Sequence, residues 1–132
     1  MVYSHDIKKY REQYISTMTP PELVTLLYNE IIKNLKKSII AINNKDIDGA
    51  HNSIVSAENI ILHLIKSLDL SYPISFNLLK LYEYMYDCLI KSNVEKNSES
   101  INHIINMVAD LRSTWVQAEK QSRMNSFKSE AK

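Results

Sequence analysis

A single glycine, Gly49, serves a chain of 132 residues, and that scarcity constrains the fold and the chemistry together. P-loops and dinucleotide-binding fingerprints need several glycines to bring backbone close to phosphate, so those chemistries are nearly excluded. One glycine and three prolines, in a sequence rich in Leu, Ile, Lys, Asn and Ser, point to an all-helical protein with short connections.

The clearest helix start lies in Ile15–Leu35. Thr19 and Glu22 form a capping box, in which the hydroxyl takes an orphan backbone N–H and the carboxylate reaches back to the N-cap amide. Pro20 stands at the first helical position, where a missing N–H costs nothing. Leu23, Leu27, Ile31 and Leu35 then recur every four residues, flanked by Val24, Tyr28, Ile32 and Ile39. An apolar face this wide must touch at least two neighbours.

The periodicity predicts four helices. The first runs from about Pro20 to Asn43, and the second from about Ile47 to Leu68 with Asp46 as its N-cap. The second carries a core stripe of Ile47, Ala50, Ile54, Ile61, Ile65 and Leu68, broadened by Val55 and Leu62. Pro73 blocks continuation and sets the third helix, about Ile74 to Ser92, with Ile74, Leu78, Leu81, Tyr82, Met85, Cys88 and Leu89 inward. The fourth, capped by Ser98, runs from about Glu99 to Lys120 with Ile101, Ile104, Ile105, Val108, Leu111 and Trp115 inward. Short loops make sequential helices antiparallel. The expected fold is therefore an all-α, antiparallel up-down four-helix bundle with a short N-terminal helical arm.

Residues 1–18 form the arm, in which Tyr3, Ile7, Tyr10 and Tyr14 share one face. An isolated helix of this length is marginal in water, so it should dock on the bundle or act as a mobile lid. Residues 19–120 form the bundle and 121–132 a polar, patternless tail. A chain of this size buries roughly two thirds of its unfolded surface, enough for a core without metals or disulfides. Cys88 is the lone cysteine, which excludes an internal disulfide and fits a reducing compartment. Met1–Thr17 lacks the apolar segment of a signal peptide, and Ile60–Ile65 falls far short of the ~20 apolar residues of a membrane span. A cytoplasmic protein without membrane insertion is expected. The net charge of +1 gives no electrostatic reason to expect nucleic acid.

Catalytic readings are weak. Di-iron bundles need inward Glu and Glu-x-x-His pairs, and no Glu-x-x-His occurs. Glu99 with His103, and Glu83 with Asp87, are isolated i,i+4 pairs. Cys88 lies on the core stripe, where it acts as a small hydrophobe. No enzyme activity, cofactor or metal is expected. One alternative is a histidine phosphotransfer bundle. His63-Leu64-Ile65-Lys66-Ser67 resembles the His-x-x-Lys-Gly core of that family, with Ser67 where its small Gly would stand.

A second apolar set falls off the core stripes. On the second helix Ile60 and Leu64 lie about 100° or more away, at 100° per residue. On the third, Phe76, Leu79, Tyr86 and Ile90 form an outward strip. Contiguous exposed apolar surface marks a partner site. Small neighbours (Gly49, Ser53, Ser56, Ser67) suggest a groove that takes a helix. The arm, the tail or a second copy of the chain could also cover it.

These residues, taken in order, resemble the FliS family of flagellin-specific export chaperones from about Ile7 to Ala118. The opening Tyr10…Ile15-x-Thr17-x-Thr19-Pro20-x-x-Leu23 is similar to that family's start, and Leu27-Tyr28 to its Leu-Tyr. Asp46-Ile47-x-x-Ala50-His51-x-x-Ile54-Val55 resembles its second-helix start. Ser67-Leu68-Asp69 and Asn77-Leu78-x-x-Leu81-Tyr82-x-Tyr84-Met85 resemble its third-helix signature, and Leu111-Arg112 with Trp115 and Ala118 its end. Asn29-Glu30-Ile31 departs from the family's Asp-Gly-Ala. Leu70-Ser71-Tyr72-Pro73 replaces its Gly-rich turn, and Met18 its Ala. The resemblance implies a cytoplasmic chaperone that binds the C-terminal helical region of flagellin, prevents premature polymerisation and delivers it to the flagellar type III export gate. It also implies an N-terminal segment, matching Ile7 and Tyr10, that binds partner and covers the site. The expected contact residues are Ile7, Tyr10, Ile60, Leu64, Leu79, Tyr86 and Ile90.

Overall fold

The computed structural model describes residues 20–130, so the arm with Ile7 and Tyr10, and the Thr19 cap, lie outside the described residues. Four helices are present: α1 (Pro20–Asn43), α2 (Ile47–Lys66), α3 (Pro73–Glu95) and α4 (Ser98–Glu130). Each packs on two others in the cyclic order α1, α2, α3, α4, with α1 on α2 the most extensive contact. Cross-helix hydrogen bonds fix the directions. Asn29 and Pro21 of α1 meet Arg112 and Trp115 of α4, and Tyr84 and Ser92 of α3 meet His103 and Ser100 of α4. Both pairs run antiparallel, as expected for an up-down bundle.

The connections show how a chain nearly without glycine turns. After α1, Lys45 adopts the left-handed conformation (φ 59°). Its N–H donates to Ile42 O and the Asp46 N–H to Ala41 O, which is a Schellman closure. Asp46 Oδ1 then accepts the Gly49 N–H at 3.0 Å and starts α2. Lys96 repeats the device after α3 (φ 51°), with the Asn97 N–H donating to Ser92 O. Asn97 Oδ1, rather than the expected Ser98, accepts the N–H groups of Glu99 and Ser100 at the start of α4. Both left-handed positions are lysines. Gly49 has no positive φ, and a Cβ there would push aside the capping Asp46 carboxylate.

The core is built from rows at spacings of three and four, widened on α4 by the adjacent Ile104 and Ile105. α1 contributes Tyr28, Ile31, Leu35 and Ser38; α2 contributes Ala50, Ile54, Ala57, Ile61 and Leu64; α3 contributes Tyr82, Met85 and Leu89; α4 contributes Ile101, Ile104, Ile105 and Val108. At its centre the Tyr28 and Tyr82 hydroxyls meet at 2.5 Å. Trp115 Nε1 donates to Pro21 O at 3.0 Å, pinning α4 to the first turn of α1.

Two expectations are corrected. The buried row of α2 is rotated from the predicted stripe: Leu64, expected outside, is 2% exposed, while Ile47, expected inside, is 52% exposed. The small Ala50 and Ala57 are fully buried in the same row as Leu64. On α3, Ile74 (62% exposed) and Leu81 (37% exposed), both expected inside, also lie outside the core. Beyond the apolar pattern, α4 continues to Glu130, with Arg123 paired to Glu119 at 2.9 Å and Gln121 to Asn125 at 3.1 Å. Such i,i+4 pairs support an exposed helix without tertiary contact.

Candidate partner-binding face

The seam between α2 and α3 is set in register by one bond, Asn93 Nδ2 donating to His51 Nδ1 at 3.0 Å. Lys96 Nζ donates to Asn93 Oδ1 at 2.7 Å, which orients the amide so that its nitrogen faces the imidazole. In this arrangement His51 accepts at Nδ1. From this bond, helical spacing generates two facing rows. His51, Val55, Glu58, Leu62 and Ile65 line α2; Asn93, Ile90, Tyr86 and Leu79 line α3 in the opposite direction. Val55, Leu62, Leu79 and Tyr86 are half-buried, and Ile90 is exposed. This is a shallow apolar surface on one side of the bundle. Phe76 (52% exposed) extends the apolar character of α3, and the exposed Leu70 and Tyr72 stand in the connection before it.

Glu58 interrupts the α2 row. It is only 6% exposed, and its buried Oε1 meets no hydrogen-bond partner among the described residues. Burial pushes its pKa up from the usual carboxylate value, and the nearby His51 opposes that shift. An acid this buried and incompletely bonded costs folding free energy.

The expected contact residues thus separate. Leu79, Tyr86 and Ile90 share the α2/α3 seam. Ile60 lies on the other flank of α2, half-buried beside a cleft of about 410 Å³ that it shares with Lys33, Asn34 and Lys37 of α1. Leu64 belongs to the core, and Ile7 and Tyr10 are outside the described residues. Sequence reasoning missed Val55 and Leu62, which it placed inside, and Glu58. The signal for Glu58 was available: a carboxylate three residues after Val55 and four before Leu62 stands in an apolar row.

Elsewhere, Tyr84 Oη and His103 Nε2 lie 3.2 Å apart across α3 and α4, at a cleft of about 260 Å³ that Cys88 and Lys91 also line. Among the described residues no group of three or more His, Cys, Asp or Glu could hold a metal ion, and no helix is long and apolar enough to cross a membrane. His63 is exposed on α2, away from the seam.

Comparison with known proteins decides the family. The model of the family "Flagellar protein FliS" matches residues 3–122. The chain belongs to the FliS family. The flagellar secretion chaperone FliS of Bacillus subtilis (strain 168) is 28% identical over 123 residues, covering 93% of this chain and 92% of the relative. The flagellar secretion chaperone FliS of Campylobacter jejuni subsp. jejuni serotype O:6 (strain 81116 / NCTC 11828) is 27% identical over 108 residues, covering 80% and 84%. Several residues that carry the FliS resemblance, namely Tyr28, Tyr82, Met85 and Trp115, are core or staple residues here. They account for the shared fold. The partner face must be argued from the seam.

Proposed function

We propose that this FliS-family chain is a cytoplasmic export chaperone that binds the C-terminal helical region of flagellin, holds it from premature polymerisation and delivers it to the flagellar type III export apparatus. Its action is stoichiometric binding, with no reaction catalysed. The observation that carries the reading is the α2/α3 seam, whose apolar rows are only half-covered by the bundle's own helices. A helix with an apolar face, laid along Val55, Leu62, Leu79, Tyr86 and Ile90, would bury surface that both chains otherwise leave to water. The segment gains that burial and loses its conformational freedom, so binding shows a negative heat-capacity change and an unfavourable ordering entropy. Ile7 and Tyr10 of the N-terminal arm are further flagellin contacts in this proposal. A second copy of the chain is the competing occupant. The test is light scattering of polymerising flagellin. An equimolar amount of this protein should suppress filament growth, whereas a flagellin lacking its C-terminal region should escape binding. Unchanged growth at equimolar chaperone overturns the proposal.

A further inference from the structure

We infer that Glu58 is a specificity-determining residue of the α2/α3 seam, accepting a hydrogen bond from a cationic nitrogen, a Lys or Arg side chain, on the helix that docks there. The inference rests on the flagellin-binding reading and adds to it a polar anchor in an otherwise apolar contact. Three observations carry it. Glu58 lies on the seam-facing row of α2, between Val55 and Leu62, in the register that the His51–Asn93 bond sets. It is over nine-tenths buried, and its Oε1 has no hydrogen-bond partner among the described residues. Of the polar groups at that end of the seam, Lys96 bonds Asn93 and Asn93 bonds His51; His51 acts on the Glu58 carboxyl only through its charge and gives Oε1 no hydrogen bond.

Buried polar atoms in native proteins nearly always have partners. An acid that breaks this rule in the middle of an apolar row acts against the fold, and such local conflicts mark functional positions. A nitrogen donor arriving with the partner completes the acid's bonding inside the seam. A helix of equal apolarity without that donor would leave the carboxylate buried and unpaired, and would be rejected for it. Because Oε1 is buried, a donor that reaches it enters between the half-buried side chains of the two rows. Recognition is thereby tied to correct seating of the apolar face.

The experiment measures two quantities on full-length wild type, Glu58→Met and Glu58→Gln: the melting temperature by circular dichroism, and the affinity for a C-terminal fragment of the same bacterium's flagellin by calorimetry. Glu58→Met keeps the shape and removes the acid. It should melt higher, by about 3 °C or more, yet bind the fragment roughly ten-fold or more weakly. Glu58→Gln keeps an acceptor and should fall between. Opposite signs for stability and affinity are the signature of a recognition group. A fall in both for Glu58→Met shows a structural acid and overturns the inference, as does wild-type affinity in both variants. Failure of wild type itself to bind overturns the flagellin reading and this inference with it.

Discussion

Replacing Tyr28 by phenylalanine removes one of two hydroxyls that meet at 2.5 Å in a core where both side chains are at most 2% exposed. The ring contact survives, since the centroids lie 6.5 Å apart at 57° and the substitution leaves both rings in place. What is lost is the hydrogen bond, together with the satisfaction of the hydroxyl left behind. A net bond contributes about 1 kcal/mol, and an abandoned buried partner costs about 1–3 kcal/mol. Tyr28→Phe and Tyr82→Phe are each therefore expected to destabilise by about 2 kcal/mol. At roughly 4 °C per kcal/mol for a domain of this size, that is a fall of about 8 °C. The double variant strands no hydroxyl and should lose only about 1 kcal/mol, far less than the sum of the singles. Burial raises both phenol pKa values, so neither tyrosine ionises at the neutral pH of the assay. Urea denaturation of the four proteins, with slopes checked for equality, measures the coupling. A double variant that loses the full sum would show that the two hydroxyls do not depend on each other, and would refute this reading of the core.

Other consequences are open to measurement. Leu64→Asp should abolish the cooperative thermal transition because it puts a carboxylate in the core, whereas Ile90→Asp should leave the transition in place and weaken flagellin-fragment binding. Lys45→Gly should stabilise the chain by up to about 1 kcal/mol in urea titrations, since glycine relieves the left-handed strain at that position. Trp115→Phe should cost about 1 kcal/mol through loss of the bond to Pro21 O, and hydrogen exchange should show the first turn of α1 opening more often. Glu58→Gln has a pH signature. The native carboxyl pKa lies above its unfolded value, so wild type gains stability at low pH and loses it as pH rises through the folded pKa. The advantage in melting temperature of Glu58→Gln over wild type should therefore be largest at pH 7 and shrink toward pH 4.

Much of the fold is legible in the sequence because large apolar residues dominate three of its four helices. The wide face of α1 announces two neighbours, and α2 and α4 are the two it packs against. The phase of α2 is misread for a physical reason. Ala50 and Ala57 carry little apolar weight in a periodic count, yet both are fully buried, and the stripe drawn through Ile47 and Ile65 is consequently rotated. The last helical turns of α4 have no apolar pattern to reveal them, since their support comes from polar pairs such as Glu119 with Arg123. The αL lysines are equally silent, because a turn of this kind is ordinarily signalled by glycine. Of the seam, Leu79, Tyr86 and Ile90 could be found as an off-core strip on one helix. Val55 and Leu62 could not be placed opposite them until the His51–Asn93 bond supplied the register.

The central claim, that the α2/α3 seam receives flagellin, is tested most directly by mapping amide and methyl NMR shifts while the C-terminal flagellin fragment is added. The account predicts saturable shifts concentrated at Val55, Leu62, Leu79, Tyr86 and Ile90, with the α1/α4 side around Arg112 unaffected. Absence of shifts at tens of micromolar, or a saturable footprint centred on α1 and α4, would contradict it.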